Sequence, residues 1–234
     1  MTQDADGVDG FRPVVDPQAV LAWIPRDVRE DGVTCGMDAS GWEDDTWILH
    51  DLTVPIDLAD REEGPRLRRR WRDVTDEDLP ALSKARGWPP NAAYLVRNLR
   101  WPDIEVEEGV LGGESLTALL DIVGDFSGPG LACFAYYGMV PANEYERLTV
   151  LEGTLSAIGG LTRNEDLFRG LSPSNWWPSD RSWFVWTDYD LTATRVSGSR
   201  TLIEAVRSHP LLETLDWQWP GGSRSAAERL RERR

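Results

Sequence analysis

Tryptophan sets the tightest limit on how this chain can fold. There are 12 in 234 residues, and six of them (Trp176, Trp177, Trp183, Trp186, Trp217 and Trp219) fall between residues 175 and 219. Side chains of this size need a broad apolar surface to bury against. The runs in this stretch are short, rich in aromatic and β-branched residues, and cut by Asp, Ser, Gly and Pro, which is the pattern of strands. Trp183 and Trp186 have opposite parity, as do Phe184 and Val185, so a strand over 183–187 has apolar groups on both faces and belongs inside a sheet. Asp188-Tyr189-Asp190 makes the turn to a hairpin partner over 191–196. Trp176 and Trp177 follow Ser172-Pro173-Ser174-Asn175 and read as loop residues, placed either to plug the core or to make contact with a partner.

The remainder mixes helices and strands. Residues 1–14 are expected to be disordered. Asp16 and Pro17 supply an N-cap and a proline at the first helical position, for a helix through Val20, Leu21 and Ile24 that stops at Pro25. Strands are expected over 46–54, 92–99, 104–106, 131–137, 147–152, 154–161 and 215–219. Ser115 caps a helix whose Leu116, Leu119, Leu120 and Val123 form one apolar stripe, and a later helix turns Leu202, Ile203 and Val206 inward. Thr75 or Asp78 caps a short helix toward Arg86. Residues 55–74 lack a period and read as a long charged connection, a point where a subdomain could break off. The order is neither βαβ alternation nor pure β. It predicts an α+β fold: a largely antiparallel mixed sheet with about four helices packed mainly on one face, one domain over 15–222 and a basic tail over 223–234.

Composition excludes several functions. The net charge is −15, and residues 1–63 hold 16 acids against 4 bases. Binding to phosphate backbones needs the reverse, so nucleic acid is not an expected partner. No apolar run approaches the ~18 residues of a membrane span, and the N-terminus lacks a signal-peptide pattern, so a soluble cytoplasmic protein is expected. Cys35 and Cys133 are far apart and set no disulfide framework. His50 and His209 stand at no zinc-ligand spacing, and Glu43-Asp44-Asp45 lacks the alternating oxygens and glycine of an EF-hand, so no metal is expected. The glycine-rich run over 109–115 lacks the P-loop lysine and carries Glu114, so no cofactor is expected either. There is no GxSxG elbow, Cys133 lies in an apolar strand, and His50 and Asp51 are strand neighbours that point to opposite faces. No catalytic residue is assigned.

An acidic front and an aromatic back point to docking. Complementary charge accelerates encounter, and a few buried aromatics hold the complex. The expected function is a non-catalytic acidic binding protein, of inhibitor or immunity type, for a basic partner protein such as a toxin. Its general character is similar to that of small bacterial immunity proteins, in composition alone. The contact residues would be Glu43, Asp44, Asp45, Trp176, Trp177, Asp188, Tyr189 and Asp190. The alternative is a carbohydrate or small-ligand binder, or a hydrolase, with a pocket built from Trp176, Trp177, Trp186, Asp188, Tyr189 and Asp190.

Overall fold

In the computed structural model, which describes residues 10–24, 41–57, 64–74, 104–128, 130–137, 149–162, 170–189 and 191–216, the apolar runs pair into two antiparallel sheets. The strands are β1 (Phe11–Pro13), β2 (Asp44–Leu49), β3 (Leu52–Pro55), β4 (Arg66–Arg69), β5 (Glu105–Val106), β6 (Cys133–Tyr137), β7 (Thr149–Gly153), β8 (Asn175–Pro178), β9 (Phe184–Thr187), β10 (Ala193–Gly198) and β11 (Thr214–Leu215). Eight of them form one sheet in the order β1-β7-β6-β8-β9-β10-β2-β11, and the other three form a small sheet, β4-β3-β5. The α-helices among the described residues are α1 (Pro17–Leu21), α2 (Trp71–Val74), α3 (Gly113–Asp125), α4 (Ile158–Leu161) and α5 (Arg200–Ser208). The fold is therefore mixed α+β around a large antiparallel sheet.

Both faces of that sheet are covered. On one, Leu119 and Val123 of α3, Ile158 and Leu161 of α4, and Ile203 and Val206 of α5 pack with Ile48, Val185, Val196, Trp176 and Trp183. On the other, Leu21, Ile24 and Trp71 pack with Trp47, Trp177, Phe184, Trp186 and Leu215. Side-chain caps start two of the helices, α1 as the sequence suggests and α5 through Ser199. Asp16 accepts a hydrogen bond from the Ala19 N–H at 3.1 Å, and Ser199 accepts one from the Leu202 N–H at 3.3 Å.

Five expectations are corrected. The segment 172–178 is a loop only as far as Ser174: Asn175–Pro178 is strand β8, between β6 and β9. Two adjacent tryptophans cannot share one surface, but in a strand they alternate. Trp176 enters one core and Trp177 the other, each 1% exposed. The strand expected over 46–54 is two strands, because the chain leaves the large sheet at His50 and enters the small one at Leu52. The "connection" over 55–74 holds β4 and α2; arginines mask the strand pattern, yet Arg66 reaches back to Thr53 and Glu105. Residues 154–161 are a 3-10 turn followed by α4, with Ile158 and Leu161 buried three positions apart, a helical spacing. Ser115 is not a cap. Gly112 occupies the N-cap of α3, and Ser115 is buried in the first turn, donating its hydroxyl to Asp51 Oδ1 at 2.9 Å.

Phe11–Pro13, inside the stretch expected to lack order, is an edge strand paired with β7. Residues 1–9, the expected elements at 75–86 and 92–99, Cys35, Trp217, Trp219 and the tail over 223–234 lie outside the described residues.

Candidate interaction surface

The acidic triplet begins β2, where the sheet presents it to arginines rather than to solvent alone. Asp44 receives a bidentate pair from Arg207, at 2.7 and 3.1 Å. That hydrogen bonding, the dominant cause, holds its carboxyl below the usual carboxylate range. Asp45 pairs with Arg195 at 2.7 Å. Glu43 accepts from the Arg200 N–H at the start of α5 and pairs more loosely with its guanidinium, at 3.8 Å. Arg207 also reaches Asp216 at 3.0 Å, which in turn accepts from the Thr46 hydroxyl. Glu43 and Asp44 thus seat α5 on the sheet, while Asp45 ties β2 to β10.

The aromatic candidates are internal as well. Trp176 stacks edge-on against Trp183 with ring centroids 5.3 Å apart, while on the opposite face Trp177 meets Trp23, Phe134 and Phe184. A contact residue must be reachable, and these two are not. The same separation prevents Trp176 from sharing a cavity with Trp177 and Trp186, which belong to the other face. Asp188 and Tyr189 sit at the β9–β10 turn; Asp188 is half-buried and Tyr189 is 40% exposed. Gly109 packs beneath them at φ +71°, where a Cβ would come within 2.7 Å of Tyr189 Cα. Asp190 lies outside the described residues.

His50 occupies the most saturated polar site. Its ring is buried, with Nδ1 2.8 Å from the Glu107 carbonyl and Nε2 2.9 Å from Thr194 Oγ1. A carbonyl only accepts, so Nδ1 carries the proton and Nε2 accepts from the Thr194 hydroxyl. The Thr187 hydroxyl, 2.8 Å away, then donates to Thr194. Burial pushes the imidazole down to about 4, against a smaller opposing effect of the Glu107 hydrogen bond. A neutral ring with both nitrogens engaged has no lone pair left to serve as a base. Burial likewise pushes the Cys133 thiol up to about 12, which leaves no thiolate at neutral pH.

Asp51 turns away from His50 into a second polar knot. Arg68 Nη2 lies 2.7 Å from Asp51 Oδ1, 2.8 Å from Ser115 Oγ and 3.1 Å from the Leu211 carbonyl oxygen, sharing its hydrogens among them, and Arg68 Nη1 meets Glu114 at 3.0 Å. Glu107 lies on the rim of this knot. Burial, and then the charge of Asp51, raise its carboxyl above the usual range. Among the described residues, no three His, Cys, Asp or Glu side chains converge as metal ligands, and no helix is long and apolar enough to cross a membrane.

The exposed negative charge lies elsewhere. Residues 101–146 contain nine carboxylates and no basic side chain. Of these, Glu107, Glu108, Glu114, Asp121 and Asp125 are exposed along the approach to α3 and on its outer face. Counting charge by halves hides this run, because it lies in the stretch 64–234 whose remaining arginines bring the total there to only −3; the signal is the absence of any Arg or Lys over 46 positions. Against known protein families, curated proteins and solved structures, the chain shows no match.

Proposed function

We propose that this chain is a non-catalytic acidic binding protein of inhibitor or immunity type, docking in the cytoplasm onto a basic partner protein such as a toxin. What supports the reading is the exposed carboxylate face of α3 and its approach: residues 101–146 carry no basic side chain, and Arg66 and Arg68 meet only Glu105 and Glu114 of its exposed acids among the described residues. Asp121 and Asp125 sit four apart in the final turns of α3, with no basic residue in the last turn. Like charges at that spacing repel, and the carboxyl end of a helix disfavours anions. A helix selected for stability alone would carry Lys or Arg there. A partner that brings cations relieves both effects on binding, and the same field repels nucleic acid and anionic membrane surfaces.

The docking face on this reading is Glu107, Glu108, Asp121 and Asp125, together with the exposed Tyr189 turn; Glu114, like the triplet, already has an arginine partner. The triplet Glu43-Asp44-Asp45 contributes to the field but is already paired. The test is affinity capture by the tagged full chain, compared with a variant carrying Glu107→Gln, Glu108→Gln, Asp121→Asn and Asp125→Asn. The expected result is a stoichiometric basic protein that the wild type retains at low salt, releases at high salt, and that the variant fails to retain. Capture of a partner insensitive to both salt and variant would overturn the reading.

A further inference from the structure

A cleft of about 840 Å³ opens beside the carboxyl end of α3, between that helix, the turn that follows it, and the paired strands β1 and β7. That volume is in the range of side-chain and small-ligand sites. Its apolar lining comes from Phe11, Leu120, Leu131 and Leu155, and its acids are Asp121 and Glu152. Resting on the acidic-face reading above, we propose that this cleft seats a guanidinium or ammonium side chain of the basic partner.

Three independent features converge on that occupant. The first is sign. Asp121, Glu152 and the carboxyl end of a 13-residue helix all favour a cation. The apolar lining suits the aliphatic stem of Lys or Arg, whose charged head then meets the carboxylates at the rim. The second is a built-in stand-in. Arg12, whose side chain is 77% exposed, places its own guanidinium 3.1 Å from Glu152. This carboxylate is therefore already oriented for a guanidinium. An exposed pair of this type contributes only about 0–1 kcal/mol, so an incoming cation can replace Arg12. The third is Gly124. It has an ordinary helical backbone and stands on the exposed wall of the cleft, where a Cβ would meet only Leu155 Cδ2, at 3.7 Å. Glycine inside a helix is unfavourable relative to alanine, and no crowding here demands it. Its consequence is an open wall.

The probe is a hexa-arginine peptide titrated into the full chain at low salt, followed by calorimetry and by the amide signals of Gly124, Gly128, Gly130 and Gly153. Gly124→Leu fills the cleft without changing charge, and Asp121→Asn removes a rim charge; each should weaken binding about tenfold, the loss of one good charge-assisted contact. Glu204→Gln, on the exposed side of α5, should leave the affinity within about twofold, as remote surface charges are largely screened. The wild-type glycine signals should shift, and those of Gly124→Leu should not. If the cleft variants match Glu204→Gln while Glu107→Gln with Glu108→Gln weakens binding, the cleft assignment falls and the acidic face stands. If the wild type binds the peptide without salt dependence, or not at all, both fall. Asp121→Asn is a surface change on a solvated helix face, so it preserves the test should Gly124→Leu disturb the fold.

Discussion

His50 shows what a single residue can hide. In sequence it is a lone histidine beside an aspartate; the two do part, the ring entering the core while Asp51 meets Arg68, but they do so in the link between β2 and β3 rather than by alternation within one strand. What the sequence could not reveal is the acceptor for Nδ1, a backbone carbonyl 57 positions away. The burial has a pH consequence. The folded value near 4 lies below the ordinary 6.5, so as pH falls the unfolded chain takes up its proton first. Stability from this group is complete above about pH 6.5 and is lost progressively between 6.5 and 4. The full loss is about 3 kcal/mol by linkage. Urea unfolding at successive pH values should show that decline in the wild type and a flatter profile in His50→Gln. Parallel profiles would assign the decline to other groups.

At the scale of elements, β1 is held by a close approach that tolerates no side chain. Gly153, the last residue of β7, faces Phe11, and a Cβ there would run into the Gly10 carbonyl oxygen and lie 2.6 Å from Phe11 Cγ. Gly153→Ala should therefore destabilise the fold by about 2 kcal/mol, the cost of overpacking a site that cannot yield. Hydrogen exchange should show β1 losing protection before β9 or β10 does; unchanged protection in β1 would contradict this. A glycine between the strand-like runs 147–152 and 154–161 ordinarily means a turn or bulge. Here it marks backbone contact. The same limit applies to β8. Adjacent tryptophans after a Ser-Pro-Ser run looked like a loop because the rule of alternation assumes one wet face. Between β6 and β9 neither face is wet, and Trp176 and Trp177 each find a core.

At the scale of the whole molecule, Arg68 links parts that no local pattern connects. From β4 it reaches Asp51 at the start of the small sheet, Glu114 and Ser115 on α3, and the Leu211 carbonyl in the turn after α5. Arg70 adds the Pro210 carbonyl, and Glu213 accepts the backbone N–H groups of Trp71 and Arg72. Arg68→Ala leaves Asp51 beside Glu107 without its main counter-charge. A loss of about 2 kcal/mol is expected for such a half-buried, charge-assisted network, measured by urea unfolding. Arg68→Lys should recover only part of it, because one ammonium cannot reproduce the fork. Equal stability of Arg68→Ala and wild type would show the network to be surface decoration. Periodicity by itself determined that α1, α3 and α5 exist and which faces of α3 and α5 turn inward, the internal character of β9, and the α+β class, because these depend on neighbours within a few positions; the start of α3 and the end of α1 escaped it. Only the tertiary structure decided which acids are free. Ion pairing depends on where distant arginines land: Arg207 and Arg195 come some 150 residues down the chain to neutralise Asp44 and Asp45, while among the described residues α3 shows no such partner along its outer face beyond Glu114.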